Sequence, residues 1–205
     1  VDLFDTGVLN AEGKNVVVIG GGDTAMDCVR TAIRQKAKSV KCLYRRDKKN
    51  MPGSAREVGN AEEEGVEFVW LTGPKKFIGK KFVEEVEVDK MELGEPDASG
   101  RKKPVIKTGA EFKIPADLVI KSLGFDPENL PTLFKAKELV VSKWGTIKID
   151  IQSMQTNLDG VFAAGDIVRG ASLVVWAIKD GRDASVQIEK YLKNKSKKDN
   201  KEKAA

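Results

Sequence analysis

Short aliphatic runs alternate with amphipathic segments in the first third of the sequence. The runs cover residues 16–19, 39–44 and 66–71. Between them, apolar residues recur at three- and four-residue spacing from Ala25 onward and again after Ser54, which is typical of helices packed on one face. Ser54 followed by Glu57 predicts a capping box at the start of the second helix. The order β-α-β-α-β predicts a parallel sheet covered by helices.

The pattern changes between Lys75 and Lys113, where apolar and polar residues alternate in short segments separated by turns. Such alternation predicts two or three antiparallel strands, which we expect on the edge of the parallel sheet. Residues 116–123 return to a buried strand, and residues 161–164 predict a further short strand. A helical pattern then runs from residue 173 to residue 192. The predicted fold class is therefore α/β.

These patterns divide the chain into four parts. We expect a linker over residues 1–13, one α/β domain over 14–125, part of a second domain over 126–192, and a tail over 193–205. The tail has no apolar residue from Lys193 to Lys203, so we expect it to be disordered. Most of the formal charge of +5 lies there, and the body is close to neutral. Without interleaved aromatic residues, no nucleic-acid partner is expected.

Histidine is absent, and Cys28 and Cys42 are the only cysteines. The commonest general base and metal ligand is therefore missing, which excludes most hydrolase and zinc-enzyme classes. Two cysteines without C-x-x-C spacing are too few for an iron–sulfur cluster, so we expect buried thiols and no metal site. No apolar run reaches the roughly 20 residues that span a bilayer, and no signal peptide is visible, so we expect a cytoplasmic protein without a membrane partner.

A glycine turn follows the first predicted strand. Gly20 and Gly22 supply two glycines of a G-x-G-x-x-G/A motif, and Ala25 is its small third residue. The first glycine permits a tight turn, the second lets backbone N–H groups approach a pyrophosphate, and the third lets the helix pack closely on the strand. An ordinary strand–helix turn is the alternative. The candidate dinucleotide-binding residues are Gly20, Gly21, Gly22, Asp23, Thr24 and Ala25.

The second predicted strand ends in Arg45 and Arg46, with no acidic residue before Asp47. An acid at this position binds the ribose 2′-hydroxyl of NAD, whereas an arginine accommodates the 2′-phosphate of NADP. A solvated basic turn is the alternative. We therefore predict NADPH rather than NADH as the coenzyme.

A second glycine turn lies near the end of the chain. The predicted strand over 161–164 leads into Gly165 and Asp166, and a helical pattern begins shortly afterwards at Leu173. A helix N-terminus beside a glycine turn favours a partly anionic, oxygen-rich group. In isolation the Gly165-Asp166 pair also fits an ordinary turn.

Together these segments resemble the pyridine nucleotide–disulfide oxidoreductase superfamily of two-dinucleotide flavoproteins. More narrowly, they are similar to the small (beta) subunits of NADPH-dependent glutamate synthases. The resemblance extends over residues 13–192, and its motifs lie at residues 20–27, 44–47, 50–54, 161–170 and 173–182.

In that superfamily an NADPH-binding domain is inserted into an FAD-binding domain. The resemblance therefore implies that residues 14–125 form the NADPH-binding domain and residues 126–192 the C-terminal portion of a split FAD-binding domain. It places Gly165 and Asp166 at the FAD phosphate and ribityl chain, and Ser172, Leu173 and Val174 at the flavin. Gly124, which ends a predicted strand, is also a candidate cofactor-binding residue.

The resemblance further implies hydride transfer from NADPH to FAD, with no side chain of this chain acting as a catalyst. Electrons would pass through iron–sulfur centres to the glutamate synthase large (alpha) subunit, which makes glutamate from glutamine and 2-oxoglutarate. The other FAD glycine motif and the iron–sulfur cluster region would precede Val1, so we expect this chain alone to be inactive. An NADPH-binding module of a related flavoprotein, such as a ferredoxin-linked NADP transhydrogenase, is the alternative.

One departure from the family pattern concerns the 2′-phosphate. Related reductases often have a third arginine shortly after the pair, whereas this chain has Lys48 and Lys49. The sequence leaves open which lysine, if either, helps to hold the phosphate.

Overall fold

The structure is a computed structural model that describes residues 10–96 and 100–203. The chain divides after Gly124 into two compact units, which are described separately.

The first unit contains the predicted parallel sheet. Its strands pair in the order β3-β2-β1-β8, and all three pairings are parallel. The strands are β1 (Asn15–Ile19), β2 (Ser39–Tyr44), β3 (Glu67–Trp70) and β8 (Leu118–Lys121), and the connecting helices are α1 (Asp23–Arg34) and α2 (Ala55–Glu63). The β-α-β-α-β prediction and the α/β class are confirmed.

Both helices pack on one face of this sheet. Met26 and Val29 of α1 and Val58 of α2 are buried against Val16 and Cys42 of the strands. The predicted capping box is wrong, because the Ser54 side chain makes no capping hydrogen bond. Glu57 instead accepts a hydrogen bond from Arg30 of α1 and so joins the two helices.

The opposite face is covered by a second, antiparallel sheet. Its strands are β4 (Thr72–Ile78), β5 (Glu85–Pro96), β6 (Lys102–Ile106) and β7 (Phe112–Pro115), and β5 pairs with the other three. Val86 and Val88 of β5 pack against Val17, Ile19 and Leu43 of the parallel sheet. The expected place on the sheet edge was therefore wrong. Successive side chains of a strand point to opposite faces, and the helices cover only one apolar face of β1 and β2.

The second unit has little regular sheet. Leu139, Ile147 and Ala163 form its small core, around which lie α3 (Leu130–Leu133), α4 (Asp166–Arg169) and α5 (Val174–Lys203). The strand predicted over 161–164 is reduced to a single bridge between Gln155 and Phe162. The run meets residues 154–156 through separate backbone hydrogen bonds, from the Thr156 N–H to the Val161 carbonyl at 2.8 Å and from the Ala163 N–H to the Met154 carbonyl at 3.3 Å, which do not extend into a regular ladder.

The structure describes the two predicted chain ends in part. Residues 1–9 of the expected linker lie outside the described residues, but Ala11 is fully buried and its N–H donates to the Gln35 side chain. Helix α5 continues to Lys203 through the segment that we expected to be disordered. Lysine has a high helix propensity, and Lys193 forms an ion pair with Glu189 one turn earlier, at 2.6 Å.

Candidate functional site

The three glycines between β1 and α1 have different structural roles. A Cβ on Gly20, whose φ is +150°, would lie 2.2 Å from the Ser122 carbonyl oxygen, and one on Gly21 would lie 2.4 Å from the Tyr44 ring. Gly22 has ordinary extended dihedrals, and a Cβ there would meet no atom within 4 Å. Gly20 and Gly21 are therefore required by close packing within the fold. Gly22 instead leaves open space in front of the helix N-terminus.

A cleft of about 570 Å³ lies at the carboxyl ends of β1, β2 and β8. In open parallel sheets ligands bind outside this edge, where strand order reverses. One side of the cleft consists of segments that follow the parallel strands: Gly20, Gly21, Gly22, Thr24, Arg45, Arg46, Ser122, Leu123 and Gly124. The other side comes from the antiparallel sheet and its connections: Thr72, Gly73, Pro74, Met91 and Arg101.

The two arginines after β2 have different environments. Arg45 is exposed, whereas Arg46 is only 3% exposed. The Arg46 Nε donates to the carbonyl oxygen of Lys102 at 2.6 Å, which connects the end of β2 to the start of β6. Arg45 is therefore the arginine of this pair that can meet a solvent-borne anion, and Arg46 supports the cleft wall.

The turn that follows the arginines is fixed by its own side chains. Asp47 Oδ1 accepts hydrogen bonds from the backbone N–H and side-chain amide of Asn50, at 2.9 and 2.6 Å. The side-chain bond to Asn50 lowers the pKa of Asp47, so its carboxylate stays charged well below neutral pH. Lys48 pairs with Glu62 at 2.7 Å, and neither Lys48 nor Lys49 lines the cleft.

Asp23 and Ala25, also predicted as site residues, do not line the cleft. Ala25 is fully buried in the helix–sheet core. The Asp23 Oδ1 accepts the Ser54 N–H at 2.8 Å, and the Gly53 N–H donates to the Gly21 carbonyl at 2.8 Å. These bonds hold the segment before α2 against the glycine turn, a contact that sequence spacing did not reveal.

The cysteines are structural in this arrangement. Cys42 is fully buried and its thiol donates to the Gly20 carbonyl at 3.4 Å, while half-buried Cys28 accepts from the Ser122 hydroxyl at 3.4 Å. Burial raises the pKa of Cys42 to about 12, so its thiol stays protonated at neutral pH.

In the second unit, Gly165 and Asp166 form a turn that a buried carboxylate organises. Gly165 has φ of +76°, which favours glycine. Asp180 of α5, whose side chain is 6% exposed, accepts Arg169 Nε and Nη2 at 2.5 and 2.7 Å and also the Gly165 N–H. The hydrogen bonds from Arg169 lower the pKa of Asp180 and keep it charged.

The remaining candidates beside this turn are exposed. Asp166 and Ser172 face solvent, and Leu173 and Val174, at the start of α5, are 67% and 74% exposed. The turn thus lies beside an accessible helix N-terminus, an arrangement that suits an anionic ligand.

The residues that the structure describes contain neither a metal-ligand cluster nor a membrane-spanning helix. Over 10–96 and 100–203 no three or more cysteine, aspartate or glutamate side chains cluster as metal ligands would. Within the same ranges, no helix combines the length and apolar composition of a membrane span.

Residues 3–181 match the model of the pyridine nucleotide-disulphide oxidoreductase family. The chain belongs to this family. A Cereibacter sphaeroides protein named for the glutamate synthase [NADPH] small chain is 66% identical over 93% of this chain and 46% of its own length. The glutamate synthase [NADPH] small chain of Azospirillum brasilense is 62% identical over 96% of this chain and 41% of its own. The present chain thus spans less than half the length of these two relatives. The predicted resemblance to glutamate synthase small subunits is confirmed.

The fold of this oxidoreductase-family chain is similar to that of Lactococcus lactis thioredoxin reductase. The TM-score is 0.75 at 24% identity, and the match covers 94% of this chain and 57% of the reductase.

Proposed function

We propose that this chain is the NADPH-binding part, with a portion of the FAD site, of a flavoprotein oxidoreductase of the glutamate synthase small-chain type. The observation that carries the proposal is the exposed guanidinium of Arg45 in the same cleft as the glycine turn, where β2 ends. A family member with an acidic residue there would favour NADH.

The cleft offers complementary groups for the two phosphate-bearing parts of the coenzyme. We assign the pyrophosphate to Gly20, Gly21, Gly22 and Thr24 at the N-terminus of α1, and Arg45 to the 2′-phosphate. Arg46 supports Arg45 from the buried side through its bond to Lys102. Gly124, whose φ is +86°, brings backbone rather than a side chain to the cleft edge.

The second unit fits a contribution to an FAD site. Gly165 closes the turn at a φ of +76°, Asp166 is accessible for hydrogen bonds from hydroxyl groups such as those of the ribityl chain, and Ser172, Leu173 and Val174 present the N-terminus of α5. A positive helix end stabilises negative charge on a neighbouring group. Bound FAD supplies the hydride-accepting redox chemistry, for which the protein needs no histidine.

The proposed reduction of the flavin by NADPH is tested by anaerobic titration of the intact protein with NADPH and, separately, with NADH. We expect NADPH to bleach the flavin absorbance at lower concentrations, and Arg45→Ala to reduce that preference about tenfold or more. Lys49→Ala, which removes an exposed charge outside the cleft, is the matched control. Equal response of the wild type to both coenzymes contradicts the assignment.

The proposed partner is the glutamate synthase large subunit, supplied with electrons through iron–sulfur centres outside this chain. Glutamate formation from glutamine and 2-oxoglutarate, driven by NADPH on mixing the two intact subunits, tests this. Flavin reduction by NADPH without glutamate formation, but with reduction of a ferredoxin, favours the transhydrogenase-like alternative.

A further inference from the structure

We propose that Arg101 is a second phosphate-binding arginine, which contacts the 2′-phosphate of NADPH from the antiparallel side of the cleft. This inference rests on the proposed function, and it makes Arg101 a coenzyme-specificity residue that no sequence motif marks. Arg101 directly precedes β6 and lines the cleft together with Arg45 and Arg46.

The backbone next to Arg101 is held against the end of β2. The carbonyl of Lys102 accepts the Arg46 Nε at 2.6 Å, and the Lys102 N–H donates to the Asn50 side chain at 3.4 Å. Asn50 is itself held by Asp47. The start of β6 is therefore tied to the turn that presents Arg45, which places the two arginines on neighbouring walls of one cleft.

The nearer cationic candidates in the sequence are placed elsewhere. Lys48 is engaged with Glu62 on α2, and Lys49 is exposed outside the cleft. A guanidinium also suits this task, since its planar fork makes two parallel hydrogen bonds to phosphate, whereas an ammonium acts as a point charge. Arg101 is thus the cation that replaces the third arginine of related reductases.

The test compares 2′,5′-ADP with 5′-AMP, two probes that differ only in the 2′-phosphate. Binding of each to the intact protein is measured by calorimetry for the wild type, Arg101→Ala and Arg101→Lys. We expect Arg101→Ala to weaken 2′,5′-ADP about tenfold or more and to leave 5′-AMP within about twofold. Arg101→Lys should fall between the wild type and Arg101→Ala.

Lys103→Ala is the matched control, because it removes one positive charge two residues after Arg101, at an exposed position of β6 outside the cleft. Lys48→Ala with Lys49→Ala tests the sequence-adjacent candidates. Both control proteins should keep the wild-type ratio of the two affinities.

The outcomes separate this inference from the proposed function. If the wild type binds both probes equally, the coenzyme assignment fails and the role of Arg101 fails with it. If the wild type discriminates and Arg101→Ala discriminates equally well, only the Arg101 inference is overturned. Parallel weakening of both probes in Arg101→Ala would indicate a structural role and would also overturn it.

Discussion

Burial separates the tasks of neighbouring residues that have the same charge. Arg45 and Arg46 are adjacent in the sequence, yet the first is exposed and the second is buried against the carbonyl of Lys102. Removing a buried guanidinium leaves the carbonyl oxygen that it contacted without a hydrogen bond, which destabilises the fold. Removing an exposed guanidinium has little effect on stability. Gly21 and Gly22 differ in a similar way, since Gly21 packs against the Tyr44 ring and Gly22 borders open space.

We expect Arg46→Ala to lower the free energy of unfolding by about 1–3 kcal/mol, because a buried charge-assisted hydrogen bond disappears. Arg45→Ala should change it by no more than about 0.5 kcal/mol. Urea denaturation of the two variants measures both values. Equal stability loss in the two variants would contradict the supporting role of Arg46.

The glycines allow a similar comparison. Gly21→Ala should destabilise the fold, because its Cβ would lie 2.4 Å from the buried Tyr44 ring. Gly22→Ala should keep the wild-type melting temperature and weaken NADP⁺ and NAD⁺ alike, by about tenfold, since the new methyl group occupies the open approach to α1. Normal binding by Gly22→Ala would exclude the pyrophosphate from this position.

At the scale of elements, long-range contacts determine how the turns are held. The Gly165-Asp166 turn depends on Asp180, which lies within α5, and the cleft wall depends on the pairing of β5 with β6. Both connections join elements that local spacing cannot relate.

We expect Asp180→Asn to lower the FAD content of the intact protein, because a neutral amide holds Arg169 and Gly165 less strongly. Binding of 2′,5′-ADP, which uses the other unit, should not change. Asp183→Asn is the control, since Asp183 lies on the same helix and hydrogen-bonds solvent-exposed Lys179, while it acts on Arg169 through charge and more weakly than Asp180 does. The ratio of flavin to protein absorbance measures the outcome.

The same carboxylate predicts a pH dependence. Its pKa is lowered in the folded state, so its stabilising contribution is present above the ordinary value of 3.8 and is lost as pH falls through the lowered pKa. The wild type should therefore melt at a higher temperature than Asp180→Asn between about pH 5 and pH 8, and this difference should shrink in stronger acid. A difference that grows on acidification would contradict this sign.

The sequence predicted those parts of the structure that local patterns determine. The strands of the parallel sheet follow from aliphatic runs, and Gly20, Gly22, Arg45 and Arg46 meet in one cleft because each follows a parallel strand at the same edge. The position of the antiparallel sheet, the role of Glu57 and the approach of Arg101 were not predictable. Each depends on a partner far along the chain, for which periodicity carries no information.

At the scale of the whole molecule, the coenzyme cleft is built entirely from residues of the first unit. That unit also has its own two-sided core, with helices on one face of the parallel sheet and β5 on the other. The second unit has only a small core and exposes large apolar side chains, among them Phe125, Trp144 and Ile151.

We therefore expect residues 10–124 alone to fold cooperatively and to bind 2′,5′-ADP more tightly than 5′-AMP. Thermal unfolding followed by circular dichroism, together with calorimetric binding, checks both statements. Residues 125–203 alone should be prone to aggregation, because exposed apolar patches promote association. Loss of binding in a well-folded 10–124 segment would show that the cleft needs groups from elsewhere.

Strand β5 has two halves with different surroundings. Val86 and Val88 of its first half are buried in the core, whereas none of residues 92–96 is buried. Substitutions within residues 92–96 therefore cost the fold little, whereas a change that moves the start of β6 also breaks the bond between Lys102 and Arg46. If Arg101 holds the 2′-phosphate as proposed, exchanging the few residues around it would let evolution, or an engineer, retune the choice between phosphorylated and unphosphorylated nicotinamide coenzymes while every glycine of the turn stays in place.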